Sequence, residues 1–183
     1  MDIDIGIKEA DRKKVADQLK TLFADTYSLY YKTHAYHWNV TGPRFQPLHS
    51  IFELQYNELW TATDAIAERI RSLGFYAPAG WSDIGERTSI PEETGVPSAD
   101  EMITNLVKGH EAVSRTAKKV LEAADQASDT ATDDLVSPRV TYHEKTAWML
   151  RAMLEDENRP GAGSSAGNGG GAAKKPAAKK GRK

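Results

Sequence analysis

Apolar residues recur at helical spacing over four long stretches of this chain, and Gly/Pro-rich breaks separate the stretches. From about Glu9 to Asn39, Val15, Leu19, Leu22, Phe23 and Tyr30 keep that spacing with no Gly or Pro among them, which predicts one long helix. The segment Val40-Thr41-Gly42-Pro43-Arg44-Phe45 ends it, because Gly frees the backbone and Pro stops propagation. Pro47 suits the first turn of a second helix that runs to about Leu73, before Gly74. Residues 75–97 hold Gly80, Gly85, Pro91, Gly95 and Pro97 and read as a long connection, with room for a short helical turn near Trp81–Ile84. Ser98-Ala99-Asp100-Glu101 has the form of a capping box and opens a third helix, to about Ala124. A fourth spans about Thr130 to Glu157, where Pro138 predicts a kink or a late, irregular start. Residues 2–7, DIDIGI, alternate in polarity but are too short to make a strand.

Four long helices, with a crossover-length link between the second and third, predict an all-α fold. A ferritin-like four-helix bundle over residues 1–157 fits them. The remainder, 158–183, is rich in Gly, Ala and Lys, cannot bury a core, and is expected to be a disordered basic tail.

Charge divides at the same place. The overall −2 hides seven basic residues and no acid from Asn158 onward, which leaves about −9 on the first 157 residues. An acidic body concentrates cations, while a basic end is drawn to polyanions. There is no cysteine, hence neither a disulfide framework nor a thiolate metal site. No apolar run approaches the roughly 18 residues of a membrane span, and no apolar segment follows the basic residues of the N-terminus. The expected location is the cytoplasm, with association to the nucleoid through the tail.

The chemistry concentrates between His34 and Glu68. At about 100° per residue, His49, Glu53, Asp64 and Glu68 share one face of the second helix. His34 and His37 close the first helix. A row of imidazoles and carboxylates suits iron, manganese or zinc; the plain alternative is a solvated polar face. Phe52, Tyr56 and Trp60 flank these acids, which favours an interfacial face. An intrachain di-iron bundle needs Glu-x-x-His motifs on two helices, and none occurs. His110-Glu111 and His143-Glu144 are neighbours that point different ways. The first two helices therefore carry half a site, to be completed by the same hairpin of a second copy across a two-fold axis. Phe52, Tyr56 and Trp60 would be the apolar filling of that interface.

His37-Trp38-Asn39-Val40 with Gly42-Pro43, His49 twelve residues after His37, Asp64-x-x-x-Glu68-Arg69 and Leu73-Gly74 together resemble the Dps, or mini-ferritin, family. The later His143-Glu144-Lys145 with Ala147-Trp148 extends the likeness over about residues 5–157. The resemblance implies a shell of twelve subunits built from two-fold dimers, which oxidises ferrous ion, preferably with peroxide, and stores ferric oxide inside. It implies His37 and His49 as ferroxidase histidines and Asp64 and Glu68 as carboxylate ligands. Glu53 stands where Asp is commoner and would serve the second of two iron ions. Trp38 adjoins the site, as core packing or as an electron relay, and His34 lies behind the ligands. Asp129, Asp133 and Asp134 are either pore acids or helix caps. Lys174, Lys175, Lys179, Lys180, Arg182 and Lys183 resemble a histone-type tail, and many copies on one shell would hold DNA without reading its sequence. Two other readings remain: a DNA-compacting shell with a vestigial metal site, and a zinc- or manganese-binding structural bundle.

Overall fold

Five helices account for the secondary structure of residues 3–155, which the computed structural model describes: α1 Glu9–Asn39, α2 Phe45–Ser72, α3 Trp81–Arg87, α4 Ala99–Gln126 and α5 Thr130–Ala152. No strand occurs among the described residues, and residues 5–7 only bend. Short turns join α1 to α2 and α4 to α5, so each pair forms a hairpin. The segment between Leu73 and Ser98, with α3 inside it, carries the chain from one hairpin to the other. The fold is the all-α, ferritin-like arrangement expected. Residues 156–183 lie outside the described set, and they take in the expected 158–183 tail and the end of the expected 1–157 domain.

The helices pack through the stripes that the sequence spacing sets. Leu19, Leu22 and Leu29 of α1 meet Phe52, Leu59 and Ile66 of α2, Ile103, Leu106 and Val113 of α4, and Val136 and Leu150 of α5, all without appreciable exposure. Gly109 of α4 faces the Leu29 side chain of α1. A Cβ there would lie 2.5 Å from Leu29 Cδ1, so a larger residue would force the Leu29 side chain to shift.

Caps fix the ends. Ser98 and Glu101 complete the capping box of α4: the Ser98 hydroxyl accepts from the Glu101 N–H, and the Glu101 carboxylate accepts from the Ser98 N–H at 2.8 Å. Arg12 donates to the Leu73 carbonyl at 2.7 Å and so closes the C-terminal end of α2. Gly74 follows with φ of +96°, which an L side chain rarely adopts. Two expectations for the last helix change. It starts at Thr130 and runs through Pro138 as one uninterrupted helix, where the Asp134 carbonyl that proline leaves without an N–H partner lies on an exposed stretch. It also stops at Ala152 rather than Glu157, where Met153 and Leu154 bond back to Leu150 and Arg151 in a closing turn.

The crossover is pinned by one buried acid. Asp25 of α1 has no exposed surface and accepts from the Ser89 N–H at 2.5 Å, from the hydroxyls of Thr88 and Ser89 at 3.1 Å, and from Thr116 of α4 at 2.6 Å. Lys32 adds a bond to the Pro91 carbonyl at 2.7 Å, and burial lowers its pKa. A long connection is thereby held against the bundle by polar contacts beside the buried Ile90 and the partly buried Phe75, Ala77 and Ile84.

Candidate metal centre

His37 lies in the last turn of α1 and His49 in the opening turns of α2, brought together by the short turn between them. Their rings stack with centroids 3.7 Å apart and planes 20° from parallel. The two make reciprocal bonds: His37 Nδ1 lies 2.8 Å from the His49 carbonyl, and His49 Nδ1 lies 2.9 Å from the His37 carbonyl. A carbonyl only accepts, so each Nδ1 carries the proton. The His37 carbonyl belongs to the last turn, where main-chain oxygens lack an intrahelical partner, and the His49 ring supplies one. Each Nε2 is left with a free lone pair, in the orientation and tautomer that a metal-binding imidazole needs.

Behind this pair, His34 stacks on Tyr56 at 3.9 Å and 15°, with Trp38 at 4.2 Å and its Nδ1 3.3 Å from the Tyr30 hydroxyl. Burial lowers its pKa, and the nearby His37 adds to the effect. Both effects disfavour a charge on His34, which packs as a support for the pair.

The carboxylates sit on the outer side of α2. Glu53, Asp64 and Glu68 are exposed, and among the described residues no side chain pairs with any of the three. Trp38 and Trp60 beside them are 58% and 55% exposed, and Tyr56 is half-buried. The aromatic face continues further than the sequence reading placed it. Trp60 meets Tyr30 at 5.3 Å, Tyr30 meets Tyr27 at 5.7 Å, and Tyr27 meets Trp81 of α3 at 5.6 Å. Trp81 was open to view as a Trp heading a short helical turn, but nothing in the spacing linked α3 to α1.

Phe52 does not belong to this face. It is fully buried in the protomer's own core, on the Leu48–Leu59–Ile66 stripe, and so is no part of any interface. On the helix it lies one turn before Tyr56, and the small angular offset between them is where the inward face ends. Among the described residues, no three His, Asp or Glu side chains of one protomer converge into a metal-holding group.

The acids at the start of α5 separate. Asp129 is buried, caps α5 through the Thr132 N–H at 3.0 Å, and pairs with Arg69 at 2.5 Å, so it has no oxygen to offer a pore. Those bonds, with the Arg69 charge, hold its pKa below the usual carboxylate value against the opposing effect of burial. Asp133 and Asp134 stay exposed. His110 and His143 turn inward while their neighbours Glu111 and Glu144 turn out to Arg151 and Lys118. The tail candidates Lys174, Lys175, Lys179, Lys180, Arg182 and Lys183 lie outside the described residues.

Known proteins share this architecture. The ferritin-like domain family matches residues 16–159. A low temperature-induced protein of Nostoc sp. is 38% identical over 157 residues, which is 85% of this chain and 88% of that protein. The DNA protection during starvation protein of Brevibacillus brevis is also 38% identical, over 81% of this chain and 100% of its own length. The crystal structure of the Dps protein of Vibrio cholerae O1, described as belonging to a broad superfamily of ferritin-like diiron-carboxylate proteins, superposes with a TM-score of 0.80. It is 31% identical and covers 85% of this chain and 98% of its own.

Proposed function

The chain belongs to the ferritin-like family, in its Dps or mini-ferritin branch, and from that premise we propose that it oxidises ferrous ion at a site shared by two protomers. The observation that carries this reading is the reciprocal His37/His49 pair, which fixes both tautomers and leaves two Nε2 lone pairs uncommitted next to an aromatic face. Three unpaired carboxylates on the same hairpin supply the hard oxygen ligands.

In this reading Asp64 and Glu68 of one protomer bind one ferrous ion, and His37 of the other gives it nitrogen. His49 and Glu53 hold the second ion, directly or through water. Two ferrous ions would give one electron each to one hydrogen peroxide, whose O–O bond breaks and which takes two protons from solvent to leave two waters, so no hydroxyl radical escapes. The clamp on each Nδ1 keeps the rings from swinging, and the aromatics Tyr56 and Trp60 exclude water around the ions. Trp38 borders the site as packing or as an electron relay. Dimers of this kind would build a closed shell of twelve that stores the ferric oxide. The basic tail, through Lys174, Lys175, Lys179, Lys180, Arg182 and Lys183, would hold DNA by counterion release and shield it. The name of the Brevibacillus relative supports the DNA-protecting part.

Mixing inactive variants tests the shared site. His37→Ala and Asp64→Ala/Glu68→Ala chains are dissociated together, reassembled, and given ferrous ion and peroxide without oxygen. Half of the dimers are mixed and one of the two sites in each is intact, so roughly a quarter of the wild-type ferric absorbance should return. No recovery places all ligands in one protomer and ends the proposal. Deleting the residues after Arg159 should abolish DNA retardation and leave oxidation unchanged.

A further inference from the structure

A second histidine pair lies inside the bundle. His110 of α4 and His143 of α5 have no exposed surface. Their Nδ1 atoms are 2.9 Å apart, His143 Nε2 is 3.2 Å from Arg139 Nη2, and His110 Nε2 is 3.4 Å from Gln55 Oε1 of α2. A guanidinium only donates, so His143 Nε2 must accept. The His143 proton then sits on Nδ1 and points at His110. His110 Nδ1 accepts it, and the His110 proton on Nε2 faces the Gln55 carbonyl. One donor–acceptor order satisfies all three links. Both oxygens of Glu58 on α2 grip Arg139 from the other side, one of them at 2.9 Å, and Arg139 Nε is buried without a partner.

We propose that this pair is a pH-sensitive latch, which ties α4 and α5 to α2 while both imidazoles are neutral and which acid undoes by protonating them as the bundle unfolds. An extra proton on His143 would sit on Nε2 against the Arg139 N–H. An extra proton on His110 would sit on Nδ1 against the His143 N–H. Either one sets two donors face to face and adds a cation beside a guanidinium in a dry site. α2 and α5 touch little elsewhere; Arg69, bound to Asp129 and Thr132, ties their ends, Glu58, bound to Arg139, ties their middles, and Gln55 ties α2 to His110 of α4.

No neighbouring charge relieves the pair. From α2 the facing groups are Gln55 and Glu58, and Glu58 is already engaged by Arg139. From α5 they are Arg139 and Tyr142, whose phenol burial keeps neutral. α1 offers Leu29 against Gly109, and its buried acid, Asp25, is bound to Thr116 farther along α4. Burial, with Arg139 adding, pushes His110 from 6.5 down to about 3, and burial with His110 and Arg139 holds His143 well below 6.5. Unfolded histidines take up a proton near 6.5 and the folded pair does not. The stabilisation is therefore complete above that pH and is lost as pH falls below it. Each histidine raises the unfolding constant about tenfold per pH unit there, and the two together about a hundredfold.

Denaturant unfolding of the full chain between pH 7 and 5 reads this directly. Gln accepts and donates but does not titrate, so in the His110→Gln/His143→Gln variant the unfolding constant should rise at least tenfold less per pH unit than in the wild type. Equal pH dependence would overturn the latch. Hydrogen exchange at each histidine Cε1, followed by mass spectrometry on the native wild type, needs no variant. His110 and His143 should remain neutral at pH 5, and either one titrating near 6.5 with the bundle folded would also overturn it. Neither readout involves iron, so the latch and the shared metal site stand or fall separately.

Discussion

The protein holds two histidine pairs of the same composition in opposite circumstances. His37 and His49 spend one nitrogen each on a main-chain carbonyl and leave the other open, beside carboxylates that nothing in the protomer neutralises. His110 and His143 have both nitrogens engaged, and the nearby carboxylate, Glu58, is matched by Arg139. The residue types alone do not separate a binding site from a structural tie. What separates them is whether lone pairs and charges are left over once the fold is complete. An arginine stands inside the bundle where a cation would otherwise be called for, and that corner is closed to metal.

The sharpest way to break the contrast is at the open pair. Asp64→Ala/Glu68→Ala should cut the initial rate of ferric absorbance by on the order of 100-fold or more, since both hard ligands of one ion go together. A rate within a few-fold of wild type would remove these residues from the chemistry. At the closed pair the effect should fall on the fold instead. Glu58→Ala leaves Arg139 poorly matched, and denaturant titration at pH 7 should show a loss of about 2–3 kcal/mol, below the full cost of breaking a buried pair because Glu58 is a third exposed. Trp60→Ala should weaken self-association by about 1–2 kcal/mol, read by sedimentation, with the helix content of the protomer unchanged. Smallest of all, Asp64→Ala should move folding stability by no more than about 0.5 kcal/mol, because its carboxylate has no partner to lose.

Much of this was legible in the residues. Apolar spacing located all four long helices, and the Ser98–Glu101 pattern marked the start of α4 because both halves of a capping box are local. The absence of Glu-x-x-His is what turned the reading away from an intrachain di-iron site and toward the first two helices. The missing parts depend on distance. His110 and His143 are 33 residues apart, and only packing shows that they share a hydrogen bond. The mutual grip of His37 and His49 runs through main-chain oxygens, which leave no trace in residue identity. Phe52 was assigned to the wrong side because a helical wheel gives angles between residues, not the direction of the core. Asp129 needed the position of Arg69, on another helix, to be recognised as a cap already in use.

Asp25 has a consequence for association as well as for folding. With a buried anion gathering donors from Thr88, Ser89 and Thr116, the connection cannot lift away without stranding that charge. Trp81, carried on the same segment, is thus presented at a fixed height beside Tyr27 and Tyr31. Whatever docks on those rings meets a surface that is already set, and binding forfeits little loop entropy.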